Sequence, residues 1–164
     1  MGTSMRPVPD PGDRASGEVI ALGSELETLF DRLARRQGNV TLAQFRVLDA
    51  LAAAEPEALE PLELARMLHL GSNHITMLLD SLEERGLLER GPHPSDRRRR
   101  LVRATPQGLE GVRGLAAHMA ALEERILGEA LDPAERLHLR TLTARVRRVI
   151  ADVVIPDTRA RPGP

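Results

Sequence analysis

Cysteine is absent from this chain of 164 residues. Without a thiol the protein forms no disulfide, no thiolate zinc site and no cysteine nucleophile, and it cannot sense oxidants through thiol chemistry. Aromatic residues are nearly absent too, since Phe30 and Phe45 are the only two. The core must therefore be built from Leu, Val, Ile, Ala and Met, a composition that favours helices over strands.

Long apolar runs are also missing, and no stretch approaches the length of a membrane span. Residues 1–16 are rich in Pro, Gly, Asp and Ser and contain no apolar segment. We therefore expect a disordered tail there rather than a secretory signal, and a second tail over residues 156–164. Together with the lack of cysteine, these features favour a cytoplasmic protein with no membrane partner.

Lysine is absent, so every basic residue other than histidine is an arginine, and the net charge is only −1. The arginines are unevenly distributed. The segment from Arg85 to Arg103 contains seven of them against the acidic residues Glu89 and Asp96. Local clustering of this kind is what binding to phosphate requires.

Apolar residues that recur every three or four positions predict an amphipathic helix over about residues 17–36, which Gly38 and Asn39 end. Thr41 and Gln44 have the spacing of a capping box, which predicts the start of a second helix. The first half of the chain is therefore expected to be helical.

A helix-turn-helix pattern follows. Pro61 suits the first position of a short helix, and Gly71 is expected to end that helix. Ser72 is expected to cap the next helix, which Gly86 closes. The apolar residues of that second helix must face the core, which leaves Ser72, Asn73, His74, Thr76 and Met77 near its outward N-terminal side. Such side chains can contact base edges and thymine methyl groups. We therefore predict that residues 72–86 form a recognition helix in the major groove.

A β-hairpin with arginines around its tip is predicted next, with short strands at residues 87–89 and 101–104. A hairpin tip can enter the minor groove, where narrow A·T tracts attract arginine. The candidates for that contact are Arg97, Arg98, Arg99 and Arg100. Asp96 precedes them, and because a carboxylate repels phosphate, we expect it to pair with one of these arginines and orient it.

Two long amphipathic helices end the chain, beginning near Pro106 and near Pro133. Their apolar stripes have more surface than one small domain can cover, and burial stabilises by about 25 cal/mol per Å². We therefore expect a homodimer in which residues 17–38 and 105–155 mediate dimerisation and residues 40–104 bind DNA. A twofold dimer would place two recognition helices about 34–36 Å apart, one turn of DNA.

The predicted fold class is mainly α with a small β-hairpin (α+β), a winged helix-turn-helix with flanking dimerisation helices. In sequence the chain resembles the MarR family of regulators. The segments that carry the resemblance are Leu62-Glu-Leu-Ala-Arg-Met-Leu68, Ser72 to Gly86, Leu87-Leu-Glu-Arg90, Pro94-Ser-Asp-Arg-Arg98 and Leu101-Val-Arg-Ala-Thr-Pro-Gln-Gly108.

The resemblance implies an obligate dimer, a palindromic operator and, often, release from DNA by a small phenolic or anionic effector. It also places Asp96 and Arg98 at the wing pair of the family, with Arg98 as the minor-groove residue. The chain departs from the family at Met77 and Ser81, where members often carry basic residues. This departure lowers the expected phosphate contacts of the recognition helix and shifts affinity towards the wing.

Other functions are weakly indicated. The chain has no Gly-rich phosphate loop and no catalytic motif, so we expect no enzyme, no catalytic residues and no cofactor. The histidines lack a metal-ligand spacing and we expect no metal, although His118, His138 and a carboxylate are an alternative zinc set. Two alternatives to a ligand-responsive repressor are a dimerisation scaffold whose winged domain contacts protein, and a small-molecule carrier or enzyme. The residues that would bind an effector are unknown.

Overall fold

The structure is a computed structural model that describes residues 15–55, 58–96 and 98–153. Within them the chain forms six helices and one two-stranded sheet. In chain order the elements are α1 (Ala15–Gly38), α2 (Leu42–Ala54), α3 (Pro61–Leu68), α4 (Ser72–Glu84), β1 (Leu88–Pro92), β2 (Arg100–Ala104), α5 (Pro106–Ala130) and α6 (Pro133–Asp152). The predicted fold class, a mainly α winged helix-turn-helix, is confirmed.

The start and the end of α1 can be compared with the helix predicted over about residues 17–36. The helix begins at Ala15, so Ala15 and Ser16, which were expected to belong to the disordered tail, are helical. Residues 1–14 and 156–164, the rest of the predicted tails, lie outside the described residues. At the other end Asn39 adopts a left-handed conformation with φ of 51° directly after Gly38, which confirms the predicted end of the helix.

The capping box before α2 is formed as predicted. The Thr41 hydroxyl accepts a hydrogen bond from the Gln44 amide at 3.1 Å, and the Thr41 amide donates to the Gln44 side chain at 2.9 Å. The two contacts satisfy two amides that the first turn of a helix leaves without partners. They fix the start of α2, the helix that contacts both α3 and α4.

The turn between α3 and α4 differs from the prediction in one respect. His69 takes the left-handed conformation that ends α3, and Gly71, not Ser72, is the N-cap of α4. The backbone at Gly71 is extended and its carbonyl accepts the first helical bond from Ile75, so Ser72 is already the first helical residue. The prediction that Ser72 caps α4 is therefore wrong, and no side chain caps this helix.

Strands β1 and β2 pair antiparallel, with Leu88 opposite Ala104 and Pro92 opposite Arg100. Leu59, just before α3, adds a single bridge: its amide and carbonyl both bond to Val102, at 3.0 and 2.8 Å. The hairpin is thus hydrogen-bonded to the segment that begins the helix-turn-helix as well as to itself. This attachment fixes the middle of β2 relative to the segment that leads into α3.

Two glycines allow α4, β1 and α5 to approach closely. Gly86 has φ of +68°, a left-handed conformation that costs glycine little, and it closes α4 as predicted. At Gly108 a Cβ atom would lie only 2.0 Å from the Leu87 carbonyl oxygen, so only glycine fits there. Thr105 completes the junction, since its hydroxyl donates to the Gly86 carbonyl at 2.7 Å and accepts from the Gly108 amide.

The described residues form two compact units, one that ends at Met119 and one that begins at Ala120. The first contains one aliphatic core to which α1, α2, α3, α4, the hairpin and the first part of α5 contribute. Its most fully buried large side chains are Val47, Leu51, Leu64, Ile75, Leu79, Leu82, Leu88 and Val102. Three of these belong to α4, and their burial sets which face of that helix points outward.

The second unit contains the end of α5 and α6. Helix α6 begins at Pro133, as predicted, and its N-cap is Asp132, whose carboxylate accepts from the Ala134 and Glu135 amides while the Glu135 side chain accepts from the Asp132 amide. The apolar side chains of α6 remain largely exposed: Leu137, Leu139, Leu142, Val146, Val149 and Ile150. Among the described helices none is at once long enough and apolar enough for a bilayer crossing.

Candidate nucleic-acid interface

The predicted contact residues of α4 lie on its outward face. Ser72, Asn73, His74, Thr76 and Met77 are all exposed, and Met77 keeps 70% of its surface in contact with solvent. The Thr76 hydroxyl donates to the Ser72 carbonyl at 2.9 Å, so its proton is already used within the helix. The face offers one amide, one imidazole and several small or apolar groups, with no cation among these five residues.

Ser81 lies one helical turn after Met77, at the edge of the outward face where α4 meets α2. It is half-buried, and its hydroxyl accepts a hydrogen bond from the buried side chain of Gln44 at 3.0 Å. This bond joins α2 to α4. The absence of a basic residue at position 81 therefore reflects packing between two helices of this chain, whereas Met77 occupies an outward position.

Arg90 joins the hairpin to α4. Its guanidinium donates to Asp80 at 2.7 Å and to Glu83 at 2.6 Å, two carboxylates one helical turn apart. Only 26% of the Arg90 side chain is exposed. Because a forked guanidinium bound to two carboxylates has a defined geometry, Arg90 orients β1 relative to α4 and is not free to contact another anion.

We call residues 93–96, 98 and 99 the wing tip. The backbone closes it, since the His93 amide donates to the Arg99 carbonyl at 3.3 Å and the Arg99 amide donates to the Asp96 carbonyl at 3.0 Å. The Asp96 carboxylate accepts from the Arg98 backbone amide at 2.9 Å, a contact that shapes the turn. Within the described residues Asp96 makes no ion pair with an arginine, so its predicted guanidinium pairing stays a prediction.

The seven arginines of the basic segment have different surroundings. Four have partners within the fold: Arg85 with the Asn39 carbonyl, Arg90 with Asp80 and Glu83, Arg99 with Glu60, and Arg103 with Glu89. Arg98 and Arg100 are exposed, and within the described part of the chain they have no acidic partner. The predicted contact residue Arg97 lies outside the described residues.

Glu60 is a residue of this region that the sequence did not reveal. It is the N-cap of α3 by position, and its carboxylate binds the Arg99 guanidinium. It also lies 3.8 Å from Nε2 of His93. Thirty-nine residues separate Glu60 from Arg99, and no local spacing rule connects positions so far apart.

Asp31 is a second such residue, and it links α1 to α2. Its carboxylate accepts from the Arg35 guanidinium at 2.6 Å and from the Leu42 backbone amide at 2.8 Å. The Arg35 hydrogen bond, followed by the Leu42 bond, lowers the pKa of Asp31 below its ordinary value. Both donors favour the ionised form, and this preference adds to the stability of the fold.

We expect the variant Asp31→Asn to lose about 0.5–1 kcal/mol of unfolding free energy at pH 7, the loss typical of a helix cap. Because the folded pKa lies below the unfolded one, the contribution is full above the unfolded pKa and disappears as pH falls through the folded pKa. Urea unfolding of both proteins at pH 7 and at about pH 3 should show the difference shrinking in acid. A difference that is constant with pH would contradict the account.

A cavity of about 230 Å³ lies within the first unit. Its apolar lining residues are Val40, Phe45, Leu48, Leu87, Val112 and Leu115. Arg85 and Gln107 add a cationic and an amide group at its edge. Among residues 15–55, 58–96 and 98–153, no three histidine or acidic side chains are arranged to hold a metal ion.

The sequence is similar to a family model and to curated regulators. The MarR family model matches residues 39–99. The multiple antibiotic resistance protein MarR of Salmonella typhimurium is 33% identical over 97 residues, a match that covers 56% of this chain and 66% of that protein, just under two thirds of its length. The regulator PecS of Dickeya dadantii is 28% identical over 134 residues, covering 79% of this chain and 80% of PecS.

Solved structures share the fold. The transcriptional regulator PcaV from Streptomyces coelicolor, crystallised in complex with its natural ligand, has a TM-score of 0.74 at 26% identity, covering 87% of this chain and 98% of PcaV. Sco3205 from the same organism, a MarR family regulator crystallised in complex with DNA, has a TM-score of 0.79 at 21% identity and covers 98% of both chains. In both cases the similarity extends well beyond the helix-turn-helix.

Proposed function

The chain belongs to the MarR family of transcriptional regulators, and from that premise we propose that it binds duplex DNA sequence-specifically as a homodimer. We propose further that it is a repressor that a small-molecule effector releases from a palindromic operator. The recognition helix α4 enters the major groove, and the wing tip enters the adjacent minor groove. A relative solved in complex with DNA supports the first part of this proposal.

The observation that carries the proposal is the division of the arginines in the hairpin. Arg98 and Arg100 remain exposed without an acidic partner in the described chain, while Arg90 and Arg99 are tied to carboxylates that hold the hairpin in place. In a basic loop without a binding role, we would not expect some arginines to be paired with carboxylates while their neighbours stay exposed and unpaired. It is the arrangement needed for a supported tip that offers free guanidinium groups to a polyanion.

The proposed dimer rests on apolar side chains that each unit leaves exposed. In the first unit Val19, Ile20 and Leu22 of α1 keep 64%, 69% and 51% of their surface exposed. In the second unit Val146, Val149 and Ile150 of α6 are 57%, 64% and 63% exposed. Apolar surface of this extent is the mark of a protein interface, and a second copy of the chain is the occupant we propose.

We assign the effector to the cavity beside Arg85. Its apolar lining suits an aromatic or aliphatic ring, and the Arg85 guanidinium suits a carboxylate or phenolate. Arg85 immediately follows α4 and bonds to the Asn39 carbonyl at 2.8 Å. An anion that drew Arg85 away from that carbonyl would act on the C-terminal end of the recognition helix. PcaV, whose structure contains its natural ligand, supports the choice of a small-molecule effector.

We expect salicylate, used as a probe of this chemistry, to raise the melting temperature of the protein and to weaken its binding to DNA. At a concentration of about 100 times Kd, a ligand that binds only the folded state stabilises by about 2.7 kcal/mol. The variant Arg85→Met should lose most of this shift, whereas Arg113→Met, an exposed arginine of α5, should keep it. Equal shifts in both variants would place the effector elsewhere.

Selection of duplexes from a random library by the full-length protein tests the proposed function directly. Fluorescence anisotropy with the selected duplex should show affinity that falls steeply with salt, with each neutralised phosphate adding about −0.9 to the slope of log K against log salt. The selected sequences should share a palindrome. If no duplex is enriched and none binds at low salt, the alternative of a dimerisation scaffold is favoured.

A further inference from the structure

Among the residues that the structure describes, one carboxylate from outside the hairpin, that of Glu60, contacts the wing tip. Glu60 binds the Arg99 guanidinium, and the same Oε1 atom lies 3.8 Å from Nε2 of His93. His93 directly follows β1, and Arg99 directly precedes β2. A single side chain outside the hairpin therefore contacts the two residues that bracket the tip.

The backbone around Glu60, the residue that anchors the wing tip, is held by hydrogen bonds on both sides. Leu59, the preceding residue, exchanges two backbone hydrogen bonds with Val102, and the Glu60 carbonyl accepts the first helical bond of α3 from Leu64 at 3.0 Å. Val102 is fully buried. The Glu60 backbone is thus fixed between a β-bridge and a helix N-terminus. Its side chain is 22% exposed, which shields the contact with Arg99 in part from competing water.

The tip carries Asp96 and Arg98 on a turn closed by its own backbone bonds. Those bonds define the shape of the turn but not the direction in which the whole tip points relative to α4. An isolated two-stranded hairpin is only marginally stable, and Val102, opposite Arg90, is the buried residue nearest the tip on β2. The Glu60 contact acts beyond that point.

We infer that Glu60 is a positioning residue for DNA binding: through Arg99 and His93 it directs the wing tip so that Arg98 meets the minor groove. In this inference Arg99 holds the wing tip in place by binding Glu60, and Arg98 contacts DNA. The inference rests on the proposed function and adds to it a residue that contacts no nucleotide. It also assigns different roles to two neighbouring arginines that look equivalent in sequence.

Electrostatics alone makes the opposite prediction. A carboxylate close to a DNA-binding surface repels phosphate, so replacing Glu60 with a neutral residue should leave binding unchanged or strengthen it. Freeing the Arg99 guanidinium should strengthen it further. If Glu60 positions the tip, its removal weakens specific binding in spite of the gain in positive charge, so the sign of the effect separates the two accounts.

The test compares Glu60→Gln with Glu63→Gln in the full-length protein, using a fluorescein-labelled duplex selected by the wild type from a random library. Glu63 lies in the first turn of the same helix and is exposed, so its variant removes the same charge without touching the wing. We expect Glu60→Gln to bind about three- to tenfold more weakly, the effect of losing a partly shielded charged hydrogen bond. Glu63→Gln should bind as tightly as the wild type or more tightly.

A second measurement separates positioning from general damage. Inosine in place of guanine removes only the 2-amino group from the minor groove, the group by which a G·C pair differs there from A·T. The wild type should discriminate between duplexes with inosine and with guanine in the flanking segments, and Glu60→Gln should lose most of that discrimination. Arg99→Ala should resemble Glu60→Gln, and the double variant should be no weaker than either single one.

Tighter or unchanged binding by Glu60→Gln, or additive losses in the double variant, would overturn the inference. The failure of the proposed function looks different, because in that case the wild type enriches no duplex from the library. If Arg98→Ala weakens binding while Glu60→Gln does not, the wing contacts DNA without needing this anchor, and only the inference fails.

Discussion

Replacing Arg98 by alanine is expected to weaken binding to the selected duplex about tenfold to hundredfold, the range for a charged side chain that reads a groove. Arg98 is exposed on the wing tip, and among residues 15–55, 58–96 and 98–153 it is bound only through its backbone amide, which donates to the Asp96 carboxylate. Its guanidinium is therefore free to enter the minor groove without first breaking a contact. Anisotropy titrations at two or more salt concentrations measure the loss and the accompanying decrease in salt slope.

Arg103→Ala is the matched control for this substitution. Arg103 lies on β2 and is 57% exposed, but its guanidinium faces Glu89 across the hairpin at 4.0 Å. Both variants remove one positive charge from the same hairpin. We expect Arg103→Ala to lose at most about threefold, through long-range charge alone. Equal losses in the two variants would mean that the hairpin contributes only general charge and that no minor-groove contact exists.

A glutamate at Val146 should convert the dimer to a monomer and reduce operator affinity about a hundredfold or more. Val146 lies on the apolar stripe of α6 and is 57% exposed within one chain, so the substitution leaves the packing of that chain intact. It buries a charge only if a second copy covers the stripe. Separating two linked binding sites sacrifices the gain of about 10²–10⁴ that simultaneous engagement provides.

Ala144→Glu is the control for the dimer. Ala144 is an exposed residue of α6, and at 100° per residue it falls on the side of the helix away from the stripe of Leu139, Leu142, Val146, Val149 and Ile150. We expect this variant to remain dimeric by light scattering and to bind DNA like the wild type. If Val146→Glu also stays dimeric, the exposed stripe of α6 is not the interface. A wild type that is itself monomeric would contradict the proposed assembly.

Much of the fold could be predicted because its signals are local. The capping box at Thr41, the left-handed Gly86 and the prolines at the starts of α3 and α6 each depend on residues a few positions apart. The inward face of α4 followed from its apolar periodicity. Each of these signals acts within one element or one turn, where the sequence determines the outcome directly.

What the sequence could not show depends on contacts between distant segments. Glu60 binds Arg99 across 39 positions, and Asp31 accepts a hydrogen bond from the first amide of α2, eleven positions away. The inward contact of Ser81 with Gln44 likewise depends on how two helices pack. The prediction that Ser72 caps α4 failed for a local reason. Serine is a good N-cap, but the N-cap position is taken by Gly71, and Ser72 is the first helical residue.

The arginines of the hairpin also show the difference between what local sequence predicts and what contacts between distant segments decide. In sequence, positions 97–100 form one uninterrupted basic run, and nothing in it distinguishes one member from the next. Folding places the carboxylate of Glu60, the residue before α3, against Arg99 and leaves Arg98 and Arg100 exposed. A run of like charges therefore predicts that a surface binds anions, while the assignment of roles within the run requires the partners that the fold brings to it.

Hydroxyl-radical footprinting of the full-length protein on the selected duplex tests the central claim most directly, because it maps minor-groove contacts along both strands. We expect two protected blocks related by a dyad, flanking major-groove sites about 10 base pairs apart, and we expect Arg98→Ala to lose both blocks together. A single unsymmetrical block, or protection that survives in Arg98→Ala, would contradict the claim that two copies each place a wing tip in a minor groove.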